Sequence, residues 1–544
     1  MKKLIALALA LLMVVAVFVG CKKKKTNLDD ATSDVEAATT TAETEKMTLN
    51  NTNEDFDKDG EVNDTDPMDE LTIADILNPD TWEGSDVPED VDYGGYDFKV
   101  LADSNTANNI SQCEFLVVPD GDLIKEKVHA RKEYVEEYLG INFNIVEYSG
   151  GYGNMEGFAS EIESASGAGT PYDLSVSYCL IPPIVAAKGL SRDLAESESL
   201  NLKNTTKPYW GSGIKDEIMI GGRIFWMSDN ASWTSVRSMT CIFVNVETFE
   251  RVNEGLTTAD LYNMVDNKTW TMDNILLLSQ NAYSDTNLET EGKDQKDEFG
   301  LATAVQNARV DLWLYGAGLR YTEQNSSGTY DWTLGNPVHQ DFITWWQEKI
   351  QTDDDILETN PGLEIVTEGR AMFAHAPVYT TEENLEFTYT VLPMPFYKTS
   401  VKNNYSTSLC NMYGSYLIPR ATRTEAFERS ATVLELLAAG GNKYLAPAYF
   451  HVYLKRQQAA TDPDMMRMFN VIRNSIVFDL GYLYGSSLTV ENLANPSISD
   501  ELFIAVRRLW SGSQSYTNIN TVWDQVKGTA TTKLNDLMVD VLEY

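Results

Sequence analysis

Positive charge is scarce in this chain. Its 544 residues carry 42 Lys and Arg against 81 Asp and Glu, a formal net charge of −39. Such a surface repels phosphate backbones and argues against nucleic-acid binding. Histidine is scarcer still: His129, His339, His375 and His451 are scattered and read as structural. Of five cysteines, Cys113, Cys179, Cys241 and Cys410 lie far apart with no CxxC pair, which argues against a zinc site. Cys179 and Cys241 fall in apolar, strand-like runs and read as small buried hydrophobes. One disulfide remains open among the four, unassigned. No GxSxG, HExxH or P-loop pattern occurs, and no internal repeat. After residue 20 there is no second long apolar run, so the remainder is expected to be soluble.

The first twenty residues are of another kind. Lys2 and Lys3 precede an uncharged apolar run from Leu4 to Val19. That layout is a secretory signal (residues 1–20), short of the roughly 20 apolar residues that span a bilayer comfortably. It ends at Phe18-Val19-Gly20-Cys21, which resembles the lipobox of bacterial lipoproteins, with Phe18 where Leu is usual. The resemblance implies acylation of Cys21, a palmitate-type lipid anchor, and a place on the cell membrane facing the extracellular side or periplasm. An ordinary cleaved signal is the other reading. Lys22–Lys25 would sit well against anionic headgroups beside such an anchor.

Residues 21–94 are rich in Thr, Asp, Glu, Asn and Ala and poor in aromatics. They cannot bury enough apolar surface to offset ordering entropy and read as a flexible acidic tether. Within it, Asp55, Asp57, Asp59, Gly60, Glu61, Val62 and Asp66 fit the spacing of a calcium loop: oxygens at positions 1, 3 and 5, glycine at 6, an apolar residue at 8. Asp66 stands where a bidentate Glu is usual, and a merely solvated acidic linker fits the same residues. Ca²⁺ is thus a candidate in the tether, and no cofactor is required elsewhere.

From residue 95 the grammar becomes strand, helix, strand, helix. Tyr96–Ala102 alternates as a strand. Leu123–Leu139 repeats apolar residues at helical spacing and meets Gly140 as a stop. Ile141–Val146 and Tyr172–Ser177 come next as strands, and Ile184–Lys188 as a helical run. Cys241–Val246 reads as a buried strand, with Thr271 as an N-cap after Trp270. Helices are expected at His339–Gln351, Glu425–Ala439, Asp464–Ser475 and Asp500–Trp510. Val391–Pro395 and Tyr413–Pro419 read as extended. This is the pattern of an α/β protein with helices covering a parallel sheet.

The order of several phrases resembles the extracellular solute-binding proteins of ABC importers, in the class that includes maltodextrin and oligosaccharide binders. They are Tyr172-Asp173-Leu174 with Ala187-Lys188-Gly189-Leu190 and Asp193-Leu194; Gly221-Gly222-Arg223-Ile224-Phe225; Phe243-Val244-Asn245; Trp270-Thr271-Met272-Asp273; Phe299-Gly300-Leu301; Glu368-Gly369-Arg370-Ala371-Met372-Phe373; and Val391-Leu392-Pro393-Met394-Pro395. The resemblance runs from about residue 95 to the end. It implies a two-lobed periplasmic-binding-protein-like fold (type II), with the ligand cleft between lobes joined by crossing strands. Lobe 1 would take about 95–240 plus a segment after 415, and lobe 2 about 247–410 plus the C-terminal helices. The partner would be a membrane permease, and the receptor a monomer.

For a sugar, flat aromatic platforms and short polar side chains are the expected contacts. The chain has 11 Trp and 27 Tyr. Trp226, Asp229, Asn230 and Trp233 form the densest such stretch. Asp311 and Trp313 precede Gly316-Ala317-Gly318, where backbone could approach a ligand. Tyr178, Tyr379 and Tyr413 complete the candidate set, chosen by where the resemblance places the cleft. Each aromatic could equally be core packing. Peptides or other polar solutes remain open as cargo. A surface glycoside-active enzyme needs two carboxylates across a bond, which so acidic a sequence does not exclude.

Overall fold

The computed structural model describes residues 85–543 except 86, 108, 204–206, 208, 211–216, 229–230, 287–292, 295, 305–308, 351–352, 360–363, 383–384, 386, 399–403, 450–462, 492–498 and 502–518. Cys21, the acidic loop Asp55–Asp66, and Asp229 and Asn230 lie outside the described residues.

The first sheet forms where apolar alternation predicts it. Strand β1 (Tyr96–Asp103) pairs in parallel with β2 (Ile141–Tyr148) along its whole length, from Tyr96↔Ile141 to Asp103↔Tyr148. It also pairs with β3 (Leu174–Tyr178), which is buried on both faces. The connecting helix Leu123–Leu139 starts at Asp122, whose side chain accepts from the Lys125 N–H at 3.0 Å. It stops at Gly140, which is left-handed at φ +59°. A Cβ there would clash only with the Asp92 carboxyl, which can turn away, so it is the left-handed backbone that calls for glycine. Residues 87–94, expected in the tether, instead pack on this helix. The Tyr138 hydroxyl donates to the Val87 carbonyl at 2.9 Å, and Tyr93 N–H to Leu139 at 2.7 Å.

The second sheet collects β4 (Thr240–Asn245) and β5 (Phe299–Ala304). A hairpin of β6 (Thr322–Gln324) and β7 (Tyr330–Trp332) comes next, then β8 (Ile356–Thr359), β9 (Ala371–Pro377) and β10 (Tyr389–Leu392). The order of the second sheet is β10-β4-β9-β5-β8. β4 and β9 run antiparallel, Thr240 opposite Pro377, and every residue of both is buried. Trp270 packs beneath this sheet, its indole N–H donating to the Pro393 carbonyl at 2.8 Å, and Thr271 caps the next helix as expected.

The chain then returns. β11 (Gly414–Leu417) pairs antiparallel with β3, completing the first sheet as β11-β3-β1-β2. Helix Thr424–Gly440 packs on helix Leu123–Leu139. A small ribbon of β12 (Thr489–Glu491) and β13 (Ser499–Glu501) stands where the helix Asp500–Trp510 is expected to begin. Asp500 and Glu501 are in a strand because they pair with Val490 and Thr489.

Three segments cross between the sheets and bond to one another. Cys410 N–H donates to Ser238 at 2.8 Å and Thr240 N–H to Ser408 at 3.1 Å. The third, at Ser475–Val477, bonds both ways with Thr407 at 2.7 and 2.8 Å. A second set of contacts lies at the β6–β7 hairpin. Residues 217–227 belong with the first sheet, where Met227 bridges to Tyr416. The hairpin reaches them through Gly221 N–H to Gly328 O at 2.8 Å, Gln324 to Met219 O at 2.9 Å and the Tyr330 hydroxyl to Glu217 O at 2.7 Å. The C-terminal helix Ile519–Glu543 touches helix Ile181–Ala187 beside the first sheet and helix Pro337–Lys349 beside the second. It therefore belongs to neither side alone.

Candidate functional site

The antiparallel pairing of β4 and β9 places the segment entering β4 and the segment leaving β9 at the same end of these two interior strands. There, beside the first crossing segment, lies a cavity of about 480 Å³. The loop after β1 supplies Asn109, Gln112 and Cys113, the last two from a π-helical turn, Gln112–Leu116. Such turns recur at functional sites. Helix Leu123–Leu139 supplies Lys125, and the short helix Trp233–Arg237 supplies Trp233 and Arg237. Glu382 comes from beyond β9, and Tyr449 from beyond helix Thr424–Gly440.

Arg237 is the centre of this wall. Its guanidinium lies 5.3 Å from the Trp233 ring centre and 5.4 Å from that of Tyr379. It is ion-paired with Glu382 at 2.5 Å, and Glu382 also accepts the Tyr449 hydroxyl at 2.9 Å. Burial works against the charge of Arg237, but Glu382, Tyr449 and Cys113 together more than offset it and hold the arginine protonated. For Glu382, burial outweighs the guanidinium and moves its carboxyl above the usual range. Arg237 Nε is buried with no hydrogen-bond partner among the described residues. Burial pushes the Cys113 thiol up to about 11, so it is neutral and a poor nucleophile at neutral pH.

The remaining charges are engaged. Lys125 pairs with Asp120 at 2.5 Å, and Asp122 caps its helix. A neutral polar guest can therefore enter without leaving a wall charge unpaired. Behind the wall sits Glu114, fully buried and ion-paired with buried Arg131 at 3.0 Å. It accepts the hydroxyls of Ser232 at 2.6 Å, Thr234 at 3.2 Å and Tyr416 at 3.2 Å. This network fastens the Trp233 segment to the π-helical turn, and the Trp233 indole N–H adds a bond to Cys113 O at 2.8 Å.

The expected site residues separate into groups. Trp233 lines the cavity, though only 7% exposed. Tyr379 is half-buried against Arg237. Asp311 and Tyr413 instead line a second, smaller cavity, where Asp311 accepts the Tyr321 hydroxyl at 2.5 Å. Tyr178 is buried, its hydroxyl accepting from Asn411 at 2.7 Å. Trp226 is 1% exposed and belongs to the core. Trp313 departs from its expected role as a platform. It is fully buried between Trp346 and His375, with its indole N–H spent on Thr303 at 2.8 Å. The close approach at Gly316 is to Met394, 2.9 Å from where a Cβ would stand, so that glycine serves packing.

Arg237, Glu382 and Tyr449 escaped the sequence reading. A signal existed for Arg237: it lies four residues after Trp233, one helical turn, and so shares its face. Glu382 lies three after Tyr379. Tyr449 carried none, since only the return of the chain to the first sheet brings it there.

No family model matches the chain, and no curated protein matches it. Solved structures do. A cyclic α-maltosyl-1,6-maltose binding protein from Arthrobacter globiformis superposes with a TM-score of 0.50 at 11% identity, covering 82% of this chain and 99% of that one. The chain has the two-lobed solute-binding fold. An ABC substrate-binding protein from Listeria monocytogenes in complex with cycloalternan superposes with a TM-score of 0.47 at 10% identity, covering 83% of this chain and all of that one. UgpB from Mycobacterium tuberculosis in complex with glycerophosphocholine gives 0.49 at 9%, covering 81% and 99%. In the two-lobed solute-binding fold each sheet is the centre of one lobe, and the three bonded segments are the crossings between them.

Proposed function

We propose that this chain is the extracellular substrate-binding component of an ABC importer. It captures a small neutral polar solute, a carbohydrate, and delivers it to a membrane permease without chemical change. The observation that carries the reading is the 480 Å³ cavity. Its wall joins loops of both lobes at the first crossing segment, combines aromatic rings with hydrogen-bonding groups, and has its charges already engaged in ion pairs or, for Asp122, a helix cap. Contacts from a guest to both lobes favour one arrangement of the hinge, which is how binding becomes a signal to a permease. The neighbour of the same fold is named for a cyclic maltosyl sugar, which agrees with this chemistry.

Cys21 carries the lipid in this reading and keeps the receptor near its permease, and Asp55, Asp57, Asp59, Glu61 and Asp66 bind Ca²⁺ weakly in the tether. The test of function is a thermal-shift screen over mono- and oligosaccharides, with short peptides and phosphodiesters beside them. A ligand at 100 times its Kd adds about 2.7 kcal/mol of stability. A stabilising sugar recovered unaltered supports the reading. Cleavage of that sugar would make the protein an enzyme, and stabilisation by peptides alone would change the cargo.

A further inference from the structure

A line of buried hydrogen bonds runs from β11 to the back of the cavity wall. Gly414 opens β11 just beyond the second crossing, and its N–H donates to Thr234 Oγ1 at 2.9 Å. Thr234 Oγ1 is 2.5 Å from Ser232 Oγ and 3.2 Å from Glu114 Oε1. Ser232 Oγ is 2.6 Å from the same carboxylate oxygen. The other oxygen, Glu114 Oε2, takes Arg131 at 3.0 Å and the Tyr416 hydroxyl at 3.2 Å. Glu114, Arg131, Ser232, Thr234 and Tyr416 are each at most 1% exposed, so bulk water does not compete for these bonds.

The two ends of the line fix its direction. An N–H can only donate, and a carboxylate ion-paired with Arg131 can only accept. Thr234 therefore accepts from Gly414 and turns its single proton toward Ser232 and Glu114. Ser232 in turn gives its proton to Glu114. Reversing either hydroxyl would leave a buried partner unmet, and a network with every member satisfied is rigid. Gly414 belongs to the fit. A Cβ there would stand 3.0 Å from Ser232 Oγ and 3.3 Å from Ile110 and Val176, so a side chain would crowd the line.

The line lies behind the 480 Å³ cavity rather than in it. Trp233 and Arg237 line the cavity, and Thr234 stands between them in the helix Trp233–Arg237. Gln112 and Cys113 line it too, and they precede Glu114 in the π-helical turn. Thr234, Ser232 and Glu114 are outside the lining. One carboxylate thus holds both stretches of wall, and Thr234 ties them to the first residue of β11. We infer that, with that cavity as the solute site proposed above, Thr234 is a positioning residue for solute capture. Its hydroxyl sets where Trp233 and Arg237 stand and couples them to the second crossing.

The test compares Thr234→Val, which keeps the shape and removes the hydroxyl, with Thr234→Ser, which keeps the hydroxyl. Glucose, galactose, maltose and maltotriose are screened, and the one that most raises the wild-type melting temperature is titrated by calorimetry. Thr234→Val should bind it about threefold to tenfold more weakly, the effect of one hydrogen bond acting through its neighbours, and Thr234→Ser should restore affinity. Without sugar, amide hydrogen exchange over 112–116 and 232–237 should rise in Thr234→Val and not in Thr234→Ser. Ser232→Ala breaks the line one link on and serves if Thr234→Val does not fold. Full affinity in a folded Thr234→Val, whatever its stability, would overturn the inference and leave the hydroxyl a structural part only. Binding of none of these sugars by the wild type counts against the carbohydrate reading instead, and exchange then decides. Raised exchange over 112–116 in Thr234→Val upholds the hold on the wall, and unchanged exchange overturns it.

Discussion

Arg237 and Glu382 are 145 residues apart in sequence and ion-paired at 2.5 Å. The register of β4 on β9 explains the meeting. Thr240 opposite Pro377 fixes both flanking segments at one end of this strand pair, and the ion pair there lines the 480 Å³ cavity. The side chains are about one quarter exposed, so the pair is neither a solvated surface contact nor a sealed one.

Glu382→Gln removes the charge that Arg237 opposes while keeping the acceptor for Tyr449. Stability should fall by about 1.5–3 kcal/mol, the usual range for hydrogen bonds to a charged group. Arg237→Met should cost solute affinity more than tenfold, because it removes the donor on the cavity wall. Denaturant midpoints and calorimetric Kd values for both variants check this. Full affinity in Arg237→Met would place the solute elsewhere.

The two tryptophans should behave oppositely. Trp313→Ala opens a hole in the second lobe's core and should lose about 3–5 kcal/mol of stability. Trp233 lines the cavity beneath Arg237, so Trp233→Phe should keep most of the stability and lose about 2 kcal/mol of solute binding, as an interface anchor does. Paired unfolding and binding measurements decide both.

Burial pushes the Asp479 carboxyl up to about 6, although the Tyr321 N–H and Arg320 pull it down. A folded value above the unfolded one makes the folded state bind the extra proton. The contribution is therefore fully present below about pH 4 and is lost as pH rises through about 6. Asp479→Asn should flatten the stability–pH curve between about pH 4 and 6.5, a difference of roughly 2–3 kcal/mol across the window. Identical slopes in urea titrations of the two proteins would contradict it.

The Tyr330 hydroxyl on the Glu217 carbonyl joins the lobes outside the lining of the 480 Å³ cavity. Tyr330→Phe should favour parted lobes by about 0.5–1.5 kcal/mol. Small-angle scattering should show a larger radius of gyration without solute, and affinity should fall about threefold to tenfold. Unchanged scattering would mean that this contact does not bear on closure.

Much of the fold was legible because its signals are local. The alternation of Tyr96–Ala102, the stop at Gly140 and the cap at Thr271 depend on neighbours within a turn or a strand. The third crossing at Ser475–Val477 was not legible, since nothing in those residues says that Thr407 will bond them from both sides. The ribbon at Asp500 was misread for the same reason: its partner, Val490, decides its state. Among the candidate site residues, Trp233 lines the 480 Å³ cavity and Tyr379 packs on Arg237, whereas Trp313 lies in the core. An aromatic beside an acid reads alike whether its ring is sealed in the core, as Trp313 is, or set against a cavity, as Trp233 is.

The measurement closest to the central claim is calorimetric titration of the purified chain with the sugar that most raises its melting temperature, and then analysis of the recovered sugar. The account predicts saturable binding at one site, loss of most affinity in Arg237→Met and Trp233→Phe, and sugar returned intact. Heat from turnover, cleaved sugar, or saturable binding that ignores both substitutions would contradict it.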